Sequence, residues 1–287
     1  MKAALLVVAV LAVGCAEAPP AGAPGKPDYE HASFPIPADL APAIHESIQI
    51  GRTLYLLDKA SAIGTDVLKA AVPDVASRGI GGWLTMRTAD DAGKPTDTFG
   101  VIFISKDQPH RMLYTIDVPL GGKPVFREHT PPKPLDTLGE RVFRARQTAI
   151  AAVPRGRRPW NPVILPGESV GHPDTICVYL LAAELAPGEM VFGMHYRILV
   201  SEDGATVKDV MPLSRSNLVV NPHRENLPKG AKIDSTVVSQ LVTDWPSEVH
   251  VFVSLLHHHA PIYVVTKRGV WRVVGDEIDL VDDKPPQ

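Results

Sequence analysis

Three β-rich runs separated by polar turns occupy residues 83–118, which read WLTMRTADDAGKPTDTFGVIFISKDQPHRMLYTIDV. The runs are Trp83–Thr88, Thr98–Ser105 and Arg111–Val118, and they are rich in the aromatic and β-branched residues typical of strands. Because the turns between them are short, consecutive runs pair most simply as antiparallel neighbours. This stretch therefore predicts an antiparallel meander.

Helical patterns flank the meander. Apolar residues at helical spacing predict a helix over about residues 43–60, and a second short one over 66–72. After the meander, Asp136-Thr137 opens another helix in which Thr137 and Glu140 have the spacing of a capping box, and Pro154 ends it. The chain thus places one main helix on each side of the predicted strands.

Further strands are predicted in the second half of the chain. They cover Pro162–Leu165, Met194–Val200, Thr206–Met211, Thr236–Val242, His250–Leu256, Ile262–Thr266 and Val270–Val274, and the segment 176–184 is ambiguous between strand and helix. Asp203-Gly204 is the strongest hairpin turn signal. The pattern predicts an α+β fold with antiparallel sheets and two main helices, and it excludes the regular β-α-β alternation of Rossmann folds and barrels.

The order of elements suggests two sub-domains, each a helix followed by a meander. A proline-rich connector over 119–134 lies between them, so the predicted domains are 45–134 and 135–287. The chain has 287 residues, 45% hydrophobic and 21% charged, which excludes a disordered, collagen-like or coiled-coil protein. Its formal net charge of -3 gives no global field for nucleic acid, so no nucleic-acid partner is expected.

The N-terminus has the layout of a secretory signal over residues 1–14. Lys2 precedes an apolar run of eleven residues, Ala3–Val13, which is too short to span a bilayer. The segment Leu11-Ala12-Val13-Gly14-Cys15 resembles the lipobox of bacterial lipoprotein precursors. The resemblance implies lipidation of Cys15 and membrane attachment through that lipid; the alternative is a plain secretory signal cut after Ala18.

Two features after Cys15 bear on where the protein resides. Ala16 lacks the acidic character of the inner-membrane retention signal, so the lipoprotein resemblance implies an outer-membrane anchor that faces the periplasm. Seven prolines lie between residues 16 and 44, and such a composition favours an extended chain. Residues 15–44 are therefore predicted to be a lipidated cysteine followed by a semi-rigid tether.

A cluster of arginines lies in and just after the helix predicted to begin at Asp136-Thr137. Six arginines lie within eighteen residues, namely Arg141, Arg144, Arg146, Arg155, Arg157 and Arg158. Arginine forks suit carboxylates and phosphates, so the cluster predicts a surface for an anionic envelope component or an acidic protein partner. A solvated basic helix face is the alternative.

The chain carries eleven histidines, four of them within residues 250–259. If 250–256 is a strand that continues, His257 and His259 share one face, and His195 is a possible further ligand through tertiary contact. These residues, with His250, define an alternative hypothesis in which the protein is a zinc-dependent hydrolase. The leading expectation includes no cofactor.

Residues 167–171, GESVG, match the G-x-S-x-G pattern of hydrolase nucleophile elbows. Pro166 and Pro173 frame the motif, so a helix cannot start immediately after Ser169 as the elbow requires. The sequence contains no complete catalytic constellation. It therefore favours a periplasmic lipoprotein that binds or scaffolds an envelope component over an enzyme.

Overall fold

The structure is a computed structural model that describes residues 33–154, 156, 158–221, 234–257 and 260–284. Cys15 and residues 1–14 lie outside this range. The described part of the chain has three α-helices and four sheets, and every strand pair is antiparallel except one. The predicted α+β fold with antiparallel sheets is therefore confirmed. None of the described helices is long and apolar enough to cross a membrane.

The helices and strands are named in chain order. The helices are α1 (Ala41–Ala71), α2 (Thr137–Ala152) and α3 (Glu248–His257). The strands are β1 (Ile80–Ala89), β2 (Pro95–Ser105), β3 (Arg111–Pro119), β4 (Val125–Pro134), β5 (Trp160–Pro166), β6 (Thr175–Ala182), β7 (Met190–Val191), β8 (Tyr196–Ser201), β9 (Val207–Pro212), β10 (Val219–Val220), β11 (Thr236–Ser239), β12 (Ile262–Thr266), β13 (Gly269–Val274) and β14 (Glu277–Asp282).

The chain divides into two compact units that are interleaved along the sequence. Unit 1 draws on residues 1–52, 183–195 and 213–287, and unit 2 on residues 53–182 and 196–212. The sequence predicted a division near residue 134 instead. Both sides of that position belong to unit 2, because the helix that follows it packs against the meander that precedes it, as described below.

Unit 2 contains the meander that the sequence predicted. Its first sheet has the order β1-β2-β3-β4, with all three pairings antiparallel. Residues 125–134, expected to be part of a connector, form β4. The proline-rich β4 is an edge strand of this sheet. Its outer side has no neighbouring strand, so a proline, which lacks an N–H, loses no hydrogen bond between strands on that side.

Helices cover both faces of this first sheet. On one face α1 approaches β2 closely, since a Cβ at Gly64 would lie 2.9 Å from the Val101 side chain, and Ser61 is hydrogen-bonded to Thr85 at 2.7 Å. On the other face, Phe143 of α2 packs against Leu84. The predicted helices over 43–60 and 66–72 are one continuous helix, α1, that extends to Ala71.

The second sheet of unit 2 has the order β5-β6-β8-β9 and packs against the opposite side of α2. Ala145 and Ala149 of α2 are fully buried against Val178 and Ile198 of this sheet. The ambiguous segment 176–184 is largely strand β6, and the hairpin predicted at Asp203-Gly204 is confirmed as the β8–β9 connection. Helix α2 therefore lies between two sheets, which bury its residues Phe143, Ala145, Arg146 and Ala149.

The N-terminus of α2 is capped one residue earlier than the capping-box spacing indicates. Asp136 Oδ1 accepts a hydrogen bond from the Gly139 amide at 2.7 Å, so Asp136 is the N-cap residue. An aspartate is as good a cap as serine and better than threonine.

We expect Asp136→Ala to lower the free energy of unfolding by about 1 kcal/mol, because it leaves a helix amide without its acceptor. Urea unfolding followed by circular dichroism measures the effect. Thr137→Ala is the matched control, since the exposed Thr137 lies inside the helix and should change stability by less than about 0.5 kcal/mol. Equal losses in the two variants would contradict the assignment of the cap.

Unit 1 is built around the sheet β11-β12-β13-β14, in which β11 and β12 are the parallel pair. A two-stranded sheet, β10-β7, also belongs to it. The expectation of a strand over His250–Leu256 is wrong, because these residues form α3. Their β-branched side chains suggested a strand, but the first seven residues of the helix are all buried, and a short apolar run does not distinguish a strand from a fully buried helix.

The last part of the segment predicted to be a tether, residues 15–44, is packed against the folded protein. The Phe34 amide donates to the Leu280 carbonyl at 2.7 Å, and α1 begins at Ala41. Asp39 is ion-paired with Arg268 at 2.9 Å. The segment expected to be a tether up to residue 44 is therefore part of unit 1 from Phe34 onward.

Candidate anion-binding site

A cavity of about 610 Å³ lies in unit 2, beside α1 and the start of β1. Residues of α1 form one wall, and the first residues of β1 form another. Arg146, from α2, also lines the cavity. The polar and charged residues of the lining include Asp58, Thr65, Asp66, Lys69 and Arg146.

The guanidinium of Arg146 is buried without a counter-charge. The residue is only 8% exposed, and no described residue forms an ion pair or hydrogen bond with it. Its Nε is fully buried and has no hydrogen-bond partner among the described residues. Burial lowers the pKa of Arg146 to about 10, so the side chain remains a cation at neutral pH.

Aromatic rings and a glycine shape the position of this guanidinium. Its Cζ lies 5.1 Å from the centre of the Trp83 ring and 5.8 Å from that of Phe143. A Cβ at Gly82 would lie 2.8 Å from Nη1 of Arg146. The absent side chain at residue 82 therefore leaves the space that the guanidinium occupies.

A second hydrogen-bond donor in the same lining is also unsatisfied. Nε1 of Trp83 is buried and has no hydrogen-bond partner among the described residues. An unsatisfied buried donor costs about 1–3 kcal/mol, and more when it is charged. These two donor atoms, Nε1 of Trp83 and Nε of Arg146, are too buried to reach a ligand, so an anion in the cavity can be bound only by the other atoms of the Arg146 guanidinium.

The other arginines of α2, Arg141 and Arg144, do not share the environment of Arg146. Arg141 is ion-paired with Glu202 at 2.9 Å, and Arg144 is exposed and donates to the Asp203 carbonyl at 3.3 Å. Arg158 precedes β5. Arg155 and Arg157 lie outside the described residues. The structure thus separates Arg146 from the surface arginines of its own helix.

One signal in the sequence distinguishes Arg146 from the other arginines of its cluster. It lies four residues after Val142 and three before Ala149, so it occupies the apolar face of α2. An arginine on a buried face needs a special reason. Trp83, Gly82 and Asp58 carry no comparable signal, because only the tertiary fold brings them to this cavity.

The described histidines of the zinc hypothesis, His195, His250 and His257, lie in unit 1. His195 and His250 are close enough for a charge on His195 to lower the pKa of His250. His195 and His250 are both buried, whereas Nε2 of His257 lies 3.4 Å from Oε1 of Glu184. His250 and His257 are two helical turns apart on α3, about 10 Å, which is too far for one zinc ion to bind both. His259 lies outside the described residues.

Within the described part of the chain, no group of three His, Cys, Asp or Glu side chains is close enough to hold a metal ion. The zinc hypothesis includes a residue beyond that part, so it stays a prediction.

The two buried histidines have well-defined hydrogen bonds. Nε2–H of His195 donates to the Val191 carbonyl at 2.8 Å, and Nδ1 of His250 accepts the Ser247 amide at 3.1 Å. Burial lowers the pKa of each histidine to about 4. Both rings are therefore neutral at neutral pH.

The serine of the G-x-S-x-G pattern lies in a short 3-10 helix, Gly167–Val170, that ends at Gly171. Ser169 is exposed. A nucleophile elbow needs an α-helix directly after the serine, and a 3-10 helix of four residues does not provide it. The predicted absence of that helix is confirmed.

Comparisons of the chain with protein-family models, with curated proteins and with solved structures find no match.

Proposed function

We propose that this chain is a periplasmic lipoprotein, anchored in the outer membrane through a lipid on Cys15, that binds an anionic component of the cell envelope without catalysis. The lipobox-like segment Leu11–Cys15 supports the anchor. The observation that carries the binding function is the buried guanidinium of Arg146, which lines a cavity and has no described counter-ion.

A purely structural role explains Arg146 less well. Its contacts with Trp83 and Phe143 are cation–π contacts, worth about 0.5–2 kcal/mol each. Removing a guanidinium from water costs several kcal/mol unless it is paired. An apolar side chain of the same length would make comparable contacts with the two rings at no such cost, so the charge itself needs a function.

The lining of the cavity supports binding over catalysis. Both hydroxyls of its α1 wall make ordinary helix hydrogen bonds: Ser61 Oγ donates to the Leu57 carbonyl and Thr65 Oγ1 to the Ser61 carbonyl, each at 2.8 Å. Among the described residues, neither hydroxyl is hydrogen-bonded to a histidine or a carboxylate that would activate it as a nucleophile. The lining therefore supplies charge and hydrogen bonds to a ligand.

The binding function is tested with the full-length Cys15→Ser protein, which lacks the proposed lipid and so cannot attach to vesicles through it, incubated without detergent with isolated peptidoglycan sacculi or with phosphatidylglycerol vesicles. We expect co-sedimentation with at least one of them, reduced about tenfold or more by Arg146→Met, because a lost hydrogen bond to a charged group weakens binding by about 1.5–3 kcal/mol. Arg144→Gln is the matched control and should bind as the wild type does.

Two results would overturn the binding proposal: no binding to either material, or binding that Arg146→Met leaves unchanged. The anchor is tested separately by labelling cells with radioactive palmitate. We expect Cys15→Ser to abolish the label and release the protein from the membrane fraction. Label that persists in this variant would exclude Cys15 as the lipidated residue.

A further inference from the structure

The terminal nitrogens of Arg146 are the charged atoms inside the cavity that a ligand can reach. Nη1 and Nη2 keep accessible surface and form no hydrogen bond with a described residue. Of the other charged residues of the lining, Asp58 already has a partner elsewhere in the chain, and Asp66 and Lys69 are exposed. Within the described lining, the recessed charge available to a ligand is therefore positive.

The α1 wall of the cavity divides into a charged rim and an interior that offers little hydrogen bonding. Asp66 and Lys69 are exposed, whereas Ser61, Thr65 and Leu68 are buried or half-buried at the i, i+4, i+7 spacing of one helix face. Both hydroxyls already donate to helix carbonyls, so neither has a proton left for a ligand. Away from Arg146, the interior suits an apolar group better than a polar one.

The walls opposite α1 are apolar. Val75, Ile80 and Trp83 are half-buried and line the cavity together with the buried Phe103. Apolar side chains that remain in contact with water gain hydrophobic free energy when an apolar ligand covers them. A mostly apolar lining with one charged group that fixes the orientation of the ligand is typical of small-molecule sites.

The dimensions of the cavity also indicate a small molecule. Its volume of about 610 Å³ lies within the range of about 300–1,000 Å³ typical of such sites. The wall from Ser61 to Leu68 is about 10 Å long. An extended chain advances about 1.2 Å per bond, so a chain of about eight carbon atoms fits along this wall.

We infer that the cavity binds a small amphiphile with an anionic head group, either a carboxylate or a phosphate, and an apolar chain. The head group accepts hydrogen bonds from Nη1 and Nη2 of Arg146, and the chain lies against Ile80, Trp83 and Phe103. This inference rests on the proposed function, because it names the ligand class of the same site. It selects a fatty acid or an acidic lipid of the envelope over peptidoglycan.

The test is isothermal titration calorimetry of the full-length Cys15→Ser protein without detergent, because a detergent is itself an amphiphile and would compete. The probes are octanoate, hexanoate, octanamide and octyl phosphate, each below the concentration at which it forms micelles. We expect hexanoate to bind about fifteenfold more weakly than octanoate, since each buried CH₂ strengthens binding about fourfold. Octanamide, which lacks the charge, should bind at least tenfold more weakly. Octyl phosphate shows which head group binds more tightly.

Substitutions in the same protein assign the head group to Arg146. Arg146→Met should weaken the binding of octanoate at least tenfold and leave that of octanamide unchanged. Arg144→Gln is the matched control and should change neither. If Lys69→Gln abolishes the binding of octanoate and Arg146→Met does not, the assignment is overturned. The comparison of probes needs no substitution in the cavity, so it decides the inference even if Arg146→Met does not fold.

The outcomes separate this inference from the proposed function. Equal affinities for octanoate and hexanoate, or for octanoate and octanamide, overturn the inference. If sacculi are bound in an Arg146-dependent manner and neither octanoate nor octyl phosphate is bound, the inference is overturned while the proposed function stands. If octanoate binds better than hexanoate but neither sacculi nor vesicles are bound, the amphiphile stands and attachment to an envelope surface is overturned. If nothing is bound, both fail together.

Discussion

Arg146→Met is expected to raise the free energy of unfolding by about 2 kcal/mol while it removes ligand binding. Arg146 is 8% exposed as a residue and has no described ion-pair partner, so its burial is opposed by the loss of hydration of its charge. Methionine has nearly the same length and keeps contact with Trp83 and Phe143, since a thioether also packs favourably on aromatic rings. The net change is therefore the removal of an uncompensated charge.

Urea unfolding of the full-length protein in detergent, followed by circular dichroism, measures this change. Arg146→Lys is the informative control, because it retains a buried charge and should gain no stability. A loss of stability in Arg146→Met that matched the loss in Arg146→Ala would show that the guanidinium holds the fold together, and would contradict a binding role. A gain in stability with a loss of binding is the trade-off typical of functional sites.

The parts of the fold that could be predicted from sequence are those that local signals determine. The meander follows from its β-rich runs and short turns, and the β8–β9 hairpin from Asp203-Gly204, whose glycine adopts φ 76°. The two main errors involve α3 and β4. In α3, burial on every side outweighs β propensity, and in β4 the prolines lie on a sheet edge where they cost little.

The sequence predicts Arg146 as a candidate residue but not the cavity that it lines, for a physical reason. Arg146 belongs to a visible cluster, but the property that distinguishes it is burial, which depends on the packing of α2 between two sheets. The other residues that line its cavity come from positions as far apart as Asp58 and Asn161. No spacing rule links such residues, because their proximity arises from tertiary structure alone.

The two buried histidines of unit 1 give the protein an expected sensitivity to acid. The ordinary pKa of histidine is 6.5, and burial lowers the pKa of His195 and His250 to about 4. Between these values the unfolded chain binds protons that the folded chain does not, so folding stability falls as pH falls. Protonation of His250 at Nδ1 would also break its hydrogen bond with the Ser247 amide.

We expect protonation of these histidines to lower the free energy of unfolding by about 3 kcal/mol each when the pH falls from 6.5 to 4. Urea unfolding of the wild type at the two pH values measures this change. His195→Gln and His250→Gln should each remove roughly half of the histidine contribution, since glutamine does not titrate and can still form hydrogen bonds. His45→Gln, at an exposed position on α1, is the matched control and should keep the full wild-type pH dependence. Carboxylates that titrate in the same range are common to all variants, so the difference between variants isolates the histidines. If His195→Gln and His250→Gln lose as much stability as the wild type between the two pH values, the buried rings are not the source of the acid sensitivity.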